Sequence, residues 1–263
     1  MIGAIAGDII GSVYEHHNIR RTDFLLFDPL CRYTDDSVLT VAIADCILHG
    51  GDYAVYLKEY CHAYPDAGYG PGFARWAHSQ RNEMNNSCGN GSAMRVSPIG
   101  YAFETIAAVL SEAEKSAMPS HNHPEGIKGA QAVAAAVFIA RTGGQKKDIK
   151  DFIQKSFGYD LNRSYEKLQK HYSPSFTCQG SVPEALISFL ASDDFEDAVR
   201  KAIAIGGDSD TIACMAGGVA QAFYKGVPDR IKTKIFELLD DRLTTVAREF
   251  GNRYSSECRR VLS

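Results

Sequence analysis

Gly3, Gly7 and Gly11 recur at i, i+4 and i+8 in the opening segment and leave one face of a helix without side chains. Each glycine lowers helix propensity by about 1 kcal/mol relative to alanine. Three in register point to another backbone or a ligand that approaches closely. On the same helix Asp8, Ser12 and Glu15 recur at i, i+4 and i+7 as a polar stripe. That stripe reads either as a solvated face or as one from which Glu15 points into a polar site while Asp8 orients its neighbours. Helical patterning continues along the chain, over 36–49, 52–63, 71–80, 91–115, 125–142, 146–157, 182–191, 194–204, 210–225 and 228–254 after an opening helix at 3–15, some of them broken. Alternating β-branched runs bounded by turn residues are almost absent, which argues against a sheet. The expectation is all-α: one compact domain over residues 1–263, without a linker or internal repeat. Two irregular stretches remain, 16–33 and 158–181, and loops of that length in a compact domain are often functional covers.

Composition narrows the function classes. The 263 residues carry a net charge of −4, with 45% hydrophobic and 23% charged residues, as in an ordinary globular protein. The charge gives no global electrostatic reason for nucleic-acid binding. No apolar stretch approaches the roughly 20 residues of a membrane span. The first eight residues resemble a secretory signal only briefly, lacking a basic start and interrupted by Asp8. Seven cysteines, at 31, 46, 61, 88, 178, 214 and 258, are odd in number and form no C-x-x-C pair. They read as reduced, packed thiols, and the expected location is the cytoplasm.

Two acidic clusters carry the strongest chemical signal: Thr34-Asp35-Asp36 and Asp208-Ser209-Asp210-Thr211. Each follows loop-like residues and opens a helix. Thr and Asp at such positions serve as ordinary caps, and helix dipoles favour nearby carboxylates. Carboxylates this close repel unless something positive lies between them, and hard divalent cations take oxygen ligands from Asp, Thr and water. Two clusters, the second directly after Gly206-Gly207, suggest one binuclear, oxygen-ligated site joining distant parts of the sequence. A helix N-terminus repels a cation, so several carboxylates must act together; four are available.

Two further segments are chemically suggestive. Ser87-Cys88-Gly89-Asn90-Gly91-Ser92 is a small-residue loop entering a helix, either a tight capped turn or a cradle whose backbone N–H groups hold an anion. It lacks the terminal Lys of a P-loop. Ser120-His121-Asn122-His123 places two histidines at i, i+2, but the strands of a barrel-type zinc site are missing. Packing, capping or substrate contact by His121 are the readings left.

Gly7-Asp8-x-x-Gly11-Ser12-x-x-Glu15, Thr34-Asp35-Asp36-Ser37, Gly89-Asn90-Gly91-Ser92-Ala93-Met94-Arg95, Ser120-His121 and Gly206-Gly207-Asp208-Ser209-Asp210-Thr211, in that order, resemble the ADP-ribosylglycohydrolase family. The matching motifs run from about residue 3 to 225. The resemblance implies an all-α orthogonal multi-helix domain with two Mg²⁺ or Mn²⁺ ions in a central cleft. It implies metal ligation by Thr34, Asp35 and Asp36 from one side and by Asp208, Asp210 and Thr211 from the other, with one Asp bridging. Glu15 matches a glutamate that is ligand-like or catalytic, and Asp35 and Asp36 stand beside it as catalytic candidates. Ser87, Gly89, Asn90 and Gly91 match a loop cradling the diphosphate and distal ribose, and His121 a substrate-contacting histidine. Cys88 stands where some members carry an aromatic, and Ser120 replaces a more familiar Thr while keeping the hydroxyl. Tyr159, Tyr172 and Phe176 are candidates for stacking adenine.

The implied activity is hydrolysis of the bond between ADP-ribose and an acceptor on a protein or small molecule, with nucleic acid only as a possible modified substrate. The alternatives are a catalytically silent ADP-ribose-binding or structural member of the same fold and, from the Asp-rich helices alone, a diphosphate-binding site of the isoprenoid-synthase type.

Overall fold

Residues 1–80 and 84–254 are described by the computed structural model, and Cys258 lies outside them. The chain begins with α1 (Ile2–Gly11), α2 (Asp35–His49), α3 (Tyr53–Ala63), α4 (Pro71–His78), α5 (Gly91–Met94), α6 (Ser97–Ala102), α7 (Ile106–Ala117) and α8 (Pro124–Arg141). It continues through α9 (Lys146–Phe157), α10 (Tyr165–His171), α11 (Cys178–Leu190), α12 (Phe195–Ala204), α13 (Ser209–Phe223), α14 (Asp229–Leu238) and α15 (Asp241–Tyr254). The sole β feature among the described residues is an antiparallel bridge between Gly89 and Thr177. The protein is all-helical and compact. Among the described residues, no helix is long and apolar enough to cross a membrane.

The glycine stripe explains the centre of the fold. All ten residues of α1 are buried, and α13 is its principal packing partner. A Cβ on Gly3 would lie 2.3 Å from the Gly217 carbonyl oxygen, and one on Gly7 only 2.0 Å from that of Ala213. A Cβ on Gly11 would meet the Asp210 Cα at 2.6 Å. The surface that approaches is therefore the backbone of α13. Helices α8, α11 and α12 pack on the remaining faces of α13, and α2 lies against α1.

Several boundaries differ from the sequence expectation, each for a local reason. Helix α1 stops at Gly11, and the Ser12 hydroxyl donates to the Ile9 carbonyl. Glu15 therefore leaves from a turn and not from the helical stripe that Asp8 and Ser12 begin. The segment 91–115 breaks into three helices, with Pro98 in the first turn of α6 and Thr105 capping α7 through the Ala108 N–H. The irregular stretch 158–181 contains α10, capped by Ser164. Helix α11 begins at Cys178, four residues ahead of the expected start, because Pro183 sits inside the helix and not at its first turn. The run 228–254 is divided at Asp240, whose carboxylate accepts from the Leu243 N–H at 2.8 Å and starts α15.

Candidate active site

Thr34 caps α2, its hydroxyl accepting from the Asp36 N–H at 3.4 Å. The same hydroxyl donates to Asp8 Oδ1 at 2.6 Å, and the Thr34 N–H donates to Asp8 Oδ2 at 3.0 Å. The Ser37 N–H also reaches Asp8 Oδ2 at 3.0 Å, and the Ser37 hydroxyl donates to the same oxygen. A carboxylate from α1 thus satisfies donors at the start of α2, where helix termini leave N–H groups without intrahelical partners. Asp8 locks the first acidic cluster to the glycine-faced helix.

The second cluster is delivered by two consecutive left-handed residues, Gly206 (φ 73°) and Gly207 (φ 80°), a conformation that disfavours side-chain-bearing residues. Asn18 clamps this turn: its Oδ1 accepts from the Gly207 N–H at 2.6 Å, and its Nδ2 donates to the Gly207 carbonyl at 2.9 Å. Asp208 and Asp210 then enter the same buried space as Asp36. The Thr211 hydroxyl donates to Asp36 Oδ2 at 3.2 Å across 175 residues of sequence. The two acidic clusters meet.

Two carboxylate groups of three result. Ligand-capable oxygens of Asp8, Asp36 and Asp210 lie within 4.8 Å of one another, as do those of Glu15, Asp208 and Asp210. Asp210 belongs to both. Asp36 Oδ1 is buried and, among the described residues, has no hydrogen-bond partner. Burial raises the Asp36 pKa well above the ordinary carboxylate range, and Asp210 and Asp8 raise it further. Asp210 is raised likewise, by burial and then by Asp208 and Asp8. Burial and the charge on Asp8 lift Asp35 to about 8. Asp208 reaches about 6 through burial, opposed by a hydrogen bond from Asn90. Carboxylates with pKa values pushed up by one another and by desolvation are ones whose charge is unbalanced, which a cation corrects.

The residues read from sequence take distinct places around a cleft of about 540 Å³. Asp36, Asp208 and Asp210 are in the carboxylate groups, together with Glu15. Thr34 and Thr211 point their hydroxyls at Asp8 and Asp36 respectively, and Asp35 is half-buried on the cleft wall. Ser87, Gly89, Asn90, Gly91 and His121 line the same cleft. The Asn90 amide donates to Asp208 at 2.6 Å and to the Ser181 hydroxyl at 3.1 Å, so it ties the small-residue loop to the acidic cluster. Phe176 is 63% exposed at the cleft edge. Tyr159 is buried beneath the Lys128 ammonium, and Tyr172 packs on Gly207 with its hydroxyl donating to the Gly180 carbonyl. Asp8 is the residue whose ligand-capable position was missed from sequence; its signal was a carboxylate one residue after a packing glycine, on a helix otherwise apolar. Cavities of about 610 and 840 Å³ lie elsewhere; chemistry and not size singles out this cleft.

Comparison with known proteins assigns the chain to a family. The model of the family described as ADP-ribosylglycohydrolase matches residues 1–260. The chain belongs to the ADP-ribosylglycohydrolase family. Among curated relatives, ADP-ribosylhydrolase ARH3 of Homo sapiens is 27% identical, the match covering 85% of this chain and 84% of the relative. ADP-ribosylarginine hydrolase Tri1 of Pseudomonas putida is 24% identical over 89% of this chain and 72% of that protein. A solved structure titled ADP-ribosylglycohydrolase-related protein complex superposes with a TM-score of 0.71 at 23% identity, covering 95% of each chain, and shares the fold.

Proposed function

We propose that this protein is a divalent-metal-dependent hydrolase that releases ADP-ribose from an acceptor, acting as one domain over residues 1–263 in the cytoplasm. The observation that carries the reading is the pair of carboxylate groups sharing Asp210 at the floor of the cleft. Their donor set is all oxygen, and one oxygen of Asp36 is buried without a partner. That chemistry fits hard octahedral cations, Mg²⁺ or Mn²⁺, better than zinc. Asp8, Asp36 and Asp210 would hold one ion and Glu15, Asp208 and Asp210 the other, with Thr34, Asp35 and Thr211 completing or orienting the shell. When bound, such a pair supplies Lewis acidity and an anchor for ribose hydroxyls and water.

The rest of the reaction falls to the chain's own groups. Water adds at C1″ of the ribose as the bond to the acceptor breaks, and the departing acceptor takes up a proton. The ribose passes through an oxocarbenium-like state, so a floor of carboxylates favours the developing positive charge. Glu15 and Asp35 are half-buried and face the cleft, placed to accept a proton from water or to assist the leaving group. The loop of Ser87, Gly89, Asn90 and Gly91, with His121, would receive the diphosphate and distal ribose. Phe176 is the aromatic candidate at the cleft edge and would stack on adenine.

The acceptor class is the finer question. The printed name of the Pseudomonas putida relative specifies ADP-ribosylarginine, and arginine, serine, base and small-molecule conjugates form the test panel. Purified protein with Mg²⁺ or Mn²⁺ is offered each conjugate and free ADP-ribose release is followed. Release that stops with excess chelator supports the proposal. Full activity in chelator sinks the metal reading, and tight ADP-ribose binding without turnover of any conjugate would identify a silent binder instead.

A further inference from the structure

Arg95 closes α5 and is completely buried, yet its Nε and Nη1 have no hydrogen-bond partner among the described residues. Its Nη2 alone is engaged, donating to the Ser116 carbonyl and to the Ser120 hydroxyl oxygen, both at 2.8 Å. Ser120 Oγ also lies 2.8 Å from His121 Nδ1. A guanidinium has only donors, so Ser120 must accept from Arg95. Ser120 is itself fully buried, and among the described residues no other acceptor takes its hydroxyl proton. If Nδ1 carried the imidazole proton, that hydroxyl proton would be left buried and unsatisfied, which is costly in a protein interior. The bond therefore runs from Ser120 to Nδ1, and the ring proton resides on Nε2. Nε2 faces the anion-cradle loop: a Cβ on Gly91 would lie 3.0 Å from it and one on Gly89 3.5 Å. Burial and the adjacent Arg95 charge keep the imidazole neutral.

We infer that Arg95 is a positioning residue that, through Ser120, fixes His121 in the Nε2–H tautomer, so that His121 donates a hydrogen bond to a diphosphate oxygen held by the 87–91 loop and does not act as a base. This rests on the proposed function for the identity of the acceptor, but not for the tautomer. The orphaned Arg95 nitrogens follow from the same geometry: Nη2 is drawn to Ser116 and Ser120, while the guanidinium carbon lies over the Phe73 ring, 5.8 Å from its centre.

The test begins with long-range ¹H–¹⁵N spectra of His121 in the wild-type protein free of metal and substrate. Protonated Nε2 and unprotonated Nδ1 are expected; the opposite assignment overturns the inference, whether or not the protein is an active hydrolase. Ser120→Ala is then expected to mix the tautomers and raise KM about tenfold, the worth of one hydrogen bond, with kcat nearly unchanged. Ser120→Thr, keeping the hydroxyl, restores both. Arg95→Met, which removes the donor to Ser120, should show the same tautomer mixing, and far-ultraviolet circular dichroism reports whether it folds; Ser120→Ala carries the test if it does not. A Ser120→Ala protein with wild-type tautomer and KM refutes the relay. A wild-type protein with the expected tautomer but no ADP-ribose release refutes the proposed function and leaves the relay standing.

Discussion

The floor and the rim of the cleft are held by different forces. On the floor, α1 meets α13 backbone to backbone, and an added methyl at Gly7 would come within 2.0 Å of a carbonyl oxygen. At the rim, residues 172–177 are fastened by a few polar bonds: Arg20 Nη2 to the Tyr172 carbonyl at 3.1 Å, the Asn90 N–H to the Phe176 carbonyl at 3.0 Å, and the Ser175 N–H to the Tyr172 hydroxyl at 3.2 Å. Steric exclusion leaves the floor a single register, whereas individual hydrogen bonds add only about 0.5–1.5 kcal/mol each. The contrast separates a sterically fixed floor from a rim held by individually weak bonds.

Breaking the floor should have the largest effect. Gly7→Val places atoms into the Ala213 and Cys214 backbone, where neither helix can yield. Chemical denaturation should show a loss above the usual ~1–3 kcal/mol of overpacking, or no cooperative transition at all. A variant with wild-type stability would show that the two helices are less closely bound than described.

Removing floor charge should spare the fold and abolish function. Asp36→Asn and Asp210→Asn are expected to lower ADP-ribose release by more than ~100-fold, beyond the loss typical of outer-shell residues. Calorimetric metal titration should weaken in parallel while helical content stays. Stability without metal should rise in both variants, because a mutually repelling buried charge has been removed.

The same repulsion sets a pH dependence. Asp35 and Asp208 have folded-state pKa values raised to about 8 and about 6, above the ordinary ~3.9 of an unfolded chain. Folded protein therefore binds more protons than unfolded protein between these limits, so their contribution to stability is present at low pH and is lost as pH rises through 6 and 8. Thermal melts of metal-free protein should fall from about pH 5 to about pH 8.5, and saturating Mg²⁺ or Mn²⁺ should flatten the slope. A metal-free melting temperature that climbs over this range would contradict the crowding of these carboxylates.

The rim should give the smallest structural response. Phe176 is largely exposed, so Phe176→Ala should alter stability by no more than ~0.5 kcal/mol. Losing a base-stacking surface worth about 1–3 kcal/mol should still raise KM for adenine-containing substrates roughly tenfold. Equal KM values would place adenine elsewhere along the cleft.

Much of the floor was legible because it obeys short-range rules. Glycines at four-residue spacing announce a close helix contact, and Thr-Asp and Asp-x-Asp clusters before apolar runs announce helix starts rich in carboxylate. The reading went astray where a residue's role depends on what lies across space. Asp8 does orient Thr34 and Ser37, as its stripe suggests, but its further place within 4.8 Å of Asp36 and Asp210 requires α1 to lie against α13. Asn90 lines the cleft as part of the small-residue loop, and its amide also reaches Asp208, 118 residues away, a bond that spacing does not reveal. Glu15 fits a helical stripe by spacing, yet the helix ends four residues before it. The start of α11 was misplaced because a proline is tolerated inside a helix when neighbouring packing compensates for one missing N–H.

Sequence alone determined the helical class, the packing face of α1 and the two acidic segments, since periodicity, glycine spacing and capping preference act within a few residues. Tertiary structure alone decided that Asp8 joins Asp36 and Asp210, that Asp210 serves two carboxylate groups, and that Phe176 and not Tyr159 or Tyr172 lines the opening. Those outcomes depend on the distance between helices. That distance is set by how closely two backbones pack once glycine has removed the side chains between them.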